Sequence, residues 1–157
     1  MSQLRRASEL GPADATAIQL VLATDPVTWE LIEGAALRPD EGQHLIDAAP
    51  PGITLEHKYL WISEGIVMEI AEGYPDGQTW YLGLIFVAPR VRGMGIGTQL
   101  LRWLEHQVVK RGGTKLRLAV VVENTGARSL YRRLGYHFVS RRQRGAQLVD
   151  VLERGLT

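Results

Sequence analysis

The sequence predicts a mixed α/β fold in a single domain over residues 1–157. Three features indicate it: helix-spaced apolar residues precede Tyr59, alternating strand patterns follow, and a glycine-dense loop then joins a strand to a helix. A chain of 157 residues, 45% of them hydrophobic, can bury one core without disulfides. The element order favours one sheet flanked by helices.

Prolines mark the starts of three predicted helices before residue 57. Pro12 and Pro26 are typical of a first helical position, and Asp25 is a suitable cap for the second helix. Pro39 opens a short third helix that carries Leu45. This part of the chain, residues 1–56, is therefore predicted to be helical.

Strand patterns begin near Tyr59. The segments 59–62 and 66–71 predict a hairpin, because apolar residues alternate around a turn of Ser63, Glu64 and Gly65. A longer strand follows from Thr79 to Val87. Gly83 inside it indicates a bulge or a close backbone approach.

The second half of the chain returns to helices and strands after the glycine loop. A helix is predicted over 96–110 and a strand over 116–122. Asn124 is a suitable cap for a helix over 127–134. A hairpin of segments 136–140 and 146–152, turning at Gly145, completes the expected fold.

Composition restricts the classes of function. There is no cysteine, which excludes thiolate metal sites and a cysteine nucleophile, and we expect no metal. The net charge of +1 argues against nucleic-acid binding through the overall field. No apolar run approaches the ~20 residues of a bilayer span, and no signal peptide is visible, so we expect a cytoplasmic protein without membrane contact.

The glycine loop at the start of the 96–110 helix is suited to a phosphate. Unpaired N–H groups and the helix dipole attract anions there, and glycines allow close approach. A kinase-type phosphate loop requires a lysine between the last glycine and the Ser/Thr, and none lies between Gly97 and Thr98, so this class is excluded. The dinucleotide fingerprint G-x-G-x-x-G also does not match, because one residue instead of two separates Gly95 from Gly97. A purely structural turn stays an alternative.

Two blocks resemble the GNAT superfamily of N-acetyltransferases. Residues 92–97 read Arg-Gly-Met-Gly-Ile-Gly, similar to the family pattern Arg/Gln-x-x-Gly-x-Gly/Ala. Residues 124–136 resemble its Asn-x-x-Ala-x-x-Leu-Tyr-x-x-x-Gly-Phe block. The resemblance covers about residues 57–154. It implies a mostly antiparallel sheet splayed between two central strands, 79–87 and 116–122, with acetyl-CoA as co-substrate in the opening.

The resemblance also implies which residues meet the cofactor. The pyrophosphate would lie on backbone N–H groups of the glycine loop, and the pantetheine arm would pair with the strand that ends at Val87. The residues expected on the cofactor side are Phe86, Val87, Arg92, Gly93, Met94, Gly95, Gly97, Thr98, Asn124 and Arg128. Arg128 belongs to a group of arginines in the last third of the chain, for which solvated helix and hairpin faces are favoured over a phosphate-binding patch.

Two residues are expected to be catalytic. Tyr131 occupies the family's usual acid position, where it would assist departure of the thiolate. Some family members carry the base on the strand equivalent to 79–87, which has no carboxylate here. Glu69, on the neighbouring strand, is the nearest candidate, because it interrupts an apolar alternation. That Glu69 is an ordinary solvent-facing glutamate is an equal alternative. Weaker candidates for the base are Glu72, Asp76, Glu123 and His57, and a water chain is another.

The resemblance predicts an N-acetyltransferase that moves an acetyl group from acetyl-CoA to a primary amine of a small molecule or peptide, by direct attack in a ternary complex. The alternative is a catalytically silent acyl-CoA-binding module. A homodimer is also expected, through an exposed edge formed by Val149, Val151 and Leu152 with Tyr136 and Phe138.

Overall fold

Residues 4–156, which the computed structural model describes, form one seven-stranded sheet and five α-helices. The helices are α1 (Pro12–Leu22), α2 (Pro26–Glu33), α3 (Glu41–Asp47), α4 (Ile96–Lys110) and α5 (Thr125–Arg133). The strands are β1 (Arg5–Arg6), β2 (Lys58–Ser63), β3 (Ile66–Glu72), β4 (Thr79–Val87), β5 (Lys115–Val121), β6 (His137–Arg144) and β7 (Gln147–Gly155).

The strand order is β1-β2-β3-β4-β5-β7-β6, and within residues 4–156 only β4 and β5 pair in parallel. The predicted mixed α/β fold with a mostly antiparallel sheet is thereby confirmed. Asp25 caps α2 by accepting a hydrogen bond from the Thr28 N–H at 3.1 Å, with Pro26 at the first helical position as predicted. The short strand β1 has no counterpart in the sequence prediction.

Gly83 forms a β-bulge in β4, which confirms the prediction for this glycine. Glu69 of β3 lies opposite Leu84, whereas the next residue, Ile70, lies opposite Leu82. Gly83 is therefore the extra residue, and such a bulge bends the strand and increases its twist.

The bulge reverses which face of the sheet the β4 side chains occupy. Trp80 and Leu82 pack in the core on the α4 side, but Leu84 and Phe86 pack in the second core, with α1 and α2. In a regular strand without a bulge, alternation would leave all four on one face.

β4 and β5 separate beyond the bulge. They pair only from Thr79 with Lys115 to Leu82 with Leu118. β5 then continues along β7 as far as Val121. The remaining part of β4 consequently has an unpaired edge that faces β5 across an opening.

The predicted dimer surface is wrong. β7 lies between β5 and β6, so it is not an edge, and Val149, Val151, Leu152 and Tyr136 are all buried. The hairpin is longer than predicted, and its outer strand β6 forms the edge, with Phe138 57% exposed. A homodimer stays a prediction without a defined surface.

Helix length and composition also bear on membrane contact. Of the helices in residues 4–156, none combines the length and the apolar character that a membrane crossing requires.

Candidate functional site

A cleft of about 340 Å³ occupies the opening between β4 and β5. Its floor is apolar, its two walls are the separated strands, and its far end is the glycine loop. Residues that line it include Gly83, Ile85, Val87, Gly97, Leu118, Val120, Asn124 and Tyr131. Because the cleft runs along the free edge of β4, an extended arm could pair with that strand.

The glycine loop presents backbone N–H groups to the end of this cleft. Gly93, Met94 and Gly95 all have positive φ, at 91°, 52° and 75°. These conformations form a tight turn that leads into the start of α4, where helix N–H groups attract anions. Within residues 4–156, the N–H groups of Gly97 and Thr98 have no backbone acceptor. The loop and the start of α4 therefore fit a pyrophosphate.

Arg92 contributes to the loop through its side chain, whereas its neighbours contribute backbone groups. Its Nε donates to the Val87 carbonyl at 2.8 Å, and its Nη1 lies 2.8 Å from Asp25 Oδ2. Bonds from the Thr28 hydroxyl and N–H, followed by the interaction with Arg92, lower the pKa of Asp25 to about 2. The side chain of Arg92 thus fixes the loop to β4 and α2, in addition to any contact with a ligand.

The free edge of β4 offers alternate backbone groups to the cleft. Ala88 N–H donates to the Gly65 carbonyl beside β3, at 2.7 Å. Because neighbouring residues of a strand direct their backbone groups to opposite sides, we infer that Phe86 faces β3 whereas Ile85 and Val87 face the cleft. Ile85 was missed by the sequence prediction, which named Phe86.

The other residues expected on the cofactor side are spread around the cleft. Asn124 lines it and caps α5, accepting from the Ala127 N–H at 3.4 Å. Met94 is 97% exposed and does not line the cleft. Arg128 lies outside the lining: its Nη2 lies 3.1 Å from Asp150 and its Nη1 donates to the Val122 carbonyl.

Tyr131 lines the cleft from α5 and is only 7% exposed. Its ring packs edge-on against Tyr136, with the centroids 6.0 Å apart. Its hydroxyl makes no hydrogen bond to any other residue of 4–156, and burial raises its pKa to about 12. A hydroxyl at the cleft wall without a protein partner is available to a group in the cleft.

Glu69 lies beneath the bulge and is held by a buried lysine. Lys58, 1% exposed, lies with its Nζ 2.6 Å from Glu69 Oε2 and also donates to the carbonyls of Leu45 and Ala48. The other carboxylate oxygen, Oε1, would be 2.7 Å from a Cβ at Gly83. A side chain at this position would therefore displace the carboxylate from its present position.

Burial raises the pKa of Glu69, against the attraction of Lys58. The carboxylate lines a second recess, on the face of the sheet opposite α4, and Gly83 is common to this recess and the cleft. Glu69 is thus not an ordinary solvent-facing glutamate, because its side chain is 21% exposed and directed at the junction of two cavities.

The weaker candidates for the base lie elsewhere. His57 Nδ1 and Glu72 Oε1 are 2.9 Å apart, and Tyr59 also donates to Glu72, all in a surface group that lines neither cavity. Asp76 accepts from the Thr79 hydroxyl at 2.9 Å in a turn. Glu123 is exposed.

Lys58 was missed by the sequence reasoning, although it carried a signal. That signal is its position at the start of an apolar strand. A lysine buried there would need a partner, and so would indicate a nearby acid or carbonyl group. Arg142 and Arg144, which line the second recess, were visible only as part of the arginine-rich final third.

Comparison with known proteins agrees with this geometry. A model of the acetyltransferase (GNAT) family matches residues 24–136. An acetyltransferase from Thermus thermophilus has a TM-score of 0.73 at 21% identity, with 99% of this chain and 97% of that chain covered. A Salmonella typhimurium enzyme that modifies the N-terminal serine of a 50S ribosomal protein gives 0.74 at 16% identity, covering 99% and 95%.

A further similar structure is a ribosomal alpha-N-protein acetyltransferase in complex with coenzyme A. It has a TM-score of 0.72 at 15% identity, with 99% of this chain and 94% of that chain covered. At these identities the solved structures establish the shared fold alone.

Proposed function

Because the chain belongs to the GNAT family of acetyltransferases, we propose that it transfers an acetyl group from acetyl-CoA to a primary amine in a ternary complex. The observation that carries this proposal is the position of Gly83. Its bulge joins a cleft suited to an extended acyl carrier with a recess that holds a buried carboxylate. Donor and acceptor can therefore meet from opposite faces of the sheet.

Glu69 is proposed as the general base. The amine nitrogen attacks the acetyl carbonyl, a C–N bond forms, the C–S bond breaks, and Glu69 accepts the proton that the amine loses. Burial raises the pKa of Glu69, which improves a carboxylate as a base. Lys58 is a positioning residue, since its bond to Oε2 leaves Oε1 directed at Gly83.

Backbone groups of β4 are proposed to stabilise the charge that develops on the carbonyl oxygen. The N–H groups of Ile85 and Val87 face the cleft, and each lies on a strand whose other edge is fixed by β3. Such fixed dipoles need no reorganisation during the reaction.

Tyr131 is proposed to donate a hydrogen bond to the departing sulfur. Its pKa of about 12 lies well above the ~8.5 of an ordinary thiol, so complete proton transfer to the thiolate would be uphill by about 5 kcal/mol. A hydrogen bond without full transfer avoids this barrier, and solvent can protonate the released thiolate.

The test uses the purified chain with acetyl-CoA and a panel of amines: free amino acids, polyamines, aminoglycosides and short peptides. We expect free thiol to appear at a rate that depends on one class of amine, with the acetylated amine identified by mass spectrometry. Tight CoA binding with no transfer to any amine would favour the silent acyl-CoA-binding module instead.

A further inference from the structure

The second recess has a volume of about 300 Å³ and lies on the sheet face opposite α4. Glu69 and Gly83 form its inner end, where it meets the cleft. Its walls come from four separate segments: the chain after α3, β2 with β3, the start of β4, and β6. The remaining lining residues are Ala48, Ala49, Pro50, Pro51, Lys58, Ala71, Tyr74, Tyr81, Arg142 and Arg144.

The charges around this recess are unbalanced. Among the described residues that line it, Glu69 is the one acidic side chain, and Lys58 already compensates it. Arg144 donates to the Ile32 carbonyl at 2.6 Å and to the Gln147 side chain, and it also lies near Glu33. Arg142 therefore contributes a positive charge that no acid of the recess balances.

Arg142 is weakly engaged by the protein. Within residues 4–156 its one side-chain hydrogen bond runs from Nη2 to the Tyr81 hydroxyl at 3.5 Å, the upper limit for such a bond. By contrast, the preceding Arg141 lies 2.7 Å from Asp150. The guanidinium of Arg142 is thus free to bind an anionic group, and arginine presents paired donors that match a carboxylate.

We propose that this recess binds a small primary amine that also carries a carboxylate, with the amine at Glu69 and the carboxylate at Arg142. This inference rests on the proposed function, because the amine is the acyl acceptor. Glu69 receives the amine in its protonated form and accepts its first proton, which passes to solvent in the recess. The ionised Glu69 then accepts the second proton as the C–N bond forms. The excess positive charge disfavours acceptors with several cationic groups.

The size and the wall of the recess refine the class of acceptor. A volume of about 300 Å³ is at the lower end for ligand sites, which suits a molecule of amino-acid size. Tyr74 and Tyr81 pack edge-on with centroids 5.5 Å apart, and Pro50 and Pro51 lie on another side. This surface favours an apolar or aromatic side chain over a polar one.

The experiment compares phenylalanine, phenylalaninamide and a tripeptide amide that begins with phenylalanine. Binding to the CoA-saturated protein is measured by calorimetry, and kcat/KM by thiol release. We expect phenylalanine to exceed the two analogues that lack a carboxylate by about tenfold in each measurement, a typical effect of one charge-assisted contact. The amide has the less basic amine, so chemical reactivity alone would favour it.

Two variants connect this preference to Arg142. Arg142→Gln should remove the tenfold preference and leave CoA affinity unchanged. Arg133→Gln removes the same charge from an exposed site on α5 and should keep the preference. Arg142 is exposed and weakly bonded, so its replacement should leave the fold intact.

The outcomes separate this inference from the proposed function. Transfer to all three amines without a preference for the carboxylate would overturn the inference while acetyl transfer stands. Binding that prefers the carboxylate without any transfer would support the inference and overturn the catalytic proposal. Preference for the tripeptide amide would overturn the inference in favour of a peptide N-terminus, and no binding of any of the three would also overturn it.

Discussion

The two cavities that meet at Gly83 differ in the groups that line them, backbone in one and side chains in the other. The cleft is made largely of backbone: the N–H groups of the glycine loop, the start of α4 and the free edge of β4. The recess is made of side chains from β2, β3, β4 and β6, together with the segment after α3. A backbone site depends on chain conformation, whereas a side-chain site depends on which residues the fold brings together.

This difference determines how closely each cavity depends on particular side chains. The cleft needs only glycines, a helix start and splayed strands, which many sequences provide. The recess combines Lys58, Glu69 and Arg142, which are 11 or more positions apart in the sequence. We therefore expect substitutions in the recess to alter turnover and acceptor choice, and substitutions in the loop to alter CoA affinity.

The largest effect is expected from Glu69→Gln. Without a base, turnover with the best amine of the panel should fall by roughly 10²- to 10⁴-fold, while CoA affinity stays unchanged. In the wild type, the raised pKa of Glu69 means that the carboxylate is protonated at low pH and ionised at higher pH. The rate should therefore increase as pH rises through that pKa, and the variant should lack this limb.

Glu72→Gln is the matched control, since Glu72 lies on the same strand but outside the recess and bonds to His57 and Tyr59. It should keep wild-type turnover. If Glu69→Gln turned over as fast as Glu72→Gln, the proton would leave by a water chain and Glu69 would have a structural role.

Next in size is the effect of Gly97→Glu on the cleft. The added carboxylate would lie in the first turn of α4, where it repels a pyrophosphate and competes for the N–H groups, so CoA should bind about 100-fold more weakly. Gly97 is preferable to Gly95 for this test, because Gly95 has φ +75° and any side chain there is strained.

Gly97→Ala is the control for the added bulk. Its Cβ would lie 3.3 Å from Leu130 Cδ2, the same contact that a glutamate would make, so it separates the effect of that contact from that of the longer, charged side chain. Calorimetry should show CoA affinity close to wild type for alanine. Equal affinity for the folded glutamate variant would place the pyrophosphate elsewhere.

The sequence predicted the cleft better than the recess, because the cleft is formed by backbone close together in the chain and the recess by side chains far apart in it. Gly93, Gly95 and Gly97 stand close together in the chain, and a glycine-rich helix start has few chemical interpretations. The bulge was also predictable, since a glycine within a strand requires an explanation. These features are local.

The recess could not be assembled from the sequence. Nothing local indicates that Lys58 reaches the carbonyls that follow α3, or that β6 extends far enough to bring Arg142 to the Tyr81 hydroxyl. The dimer surface failed for a related reason: the alternation of Val149 and Val151 shows that one face is buried but cannot show which strand pairs beside β7. Strand order is a long-range property.

Tyr131→Phe should have a smaller effect, about tenfold on kcat. With a pKa of about 12 the hydroxyl is a weak acid, so its loss removes one hydrogen bond to the departing sulfur and little more. CoA affinity is the control: an unchanged affinity shows that the phenylalanine ring packs against Tyr136 as the tyrosine ring does. A rate equal to wild type from pH 6 to 9 would identify Tyr131 as a packing residue.

The smallest effect is expected at the contact that joins the two regions, the ion pair between Asp25 of the α2 cap and Arg92 of the loop. Asp25→Asn keeps the cap, because asparagine caps helices as well as aspartate, but it removes the charge. Urea unfolding should show a slightly less stable variant at pH 6. Asp25→Ala, which loses the cap as well, should be less stable than the asparagine variant.

The pH dependence of the unfolding free energy shows why wild type is more stable than Asp25→Asn. The pKa of Asp25 is lowered to about 2, so the stabilisation from its charge is complete above its ordinary pKa near 4 and is lost as pH falls through about 2. The gap in unfolding free energy between wild type and Asp25→Asn should therefore narrow progressively below about pH 4. It should also narrow in 0.5 M salt, since this partly exposed pair is screened. A gap that stays constant with both pH and salt would mean that the shape of the Asp25 side chain, and not its charge on Arg92, holds α2 to the glycine loop.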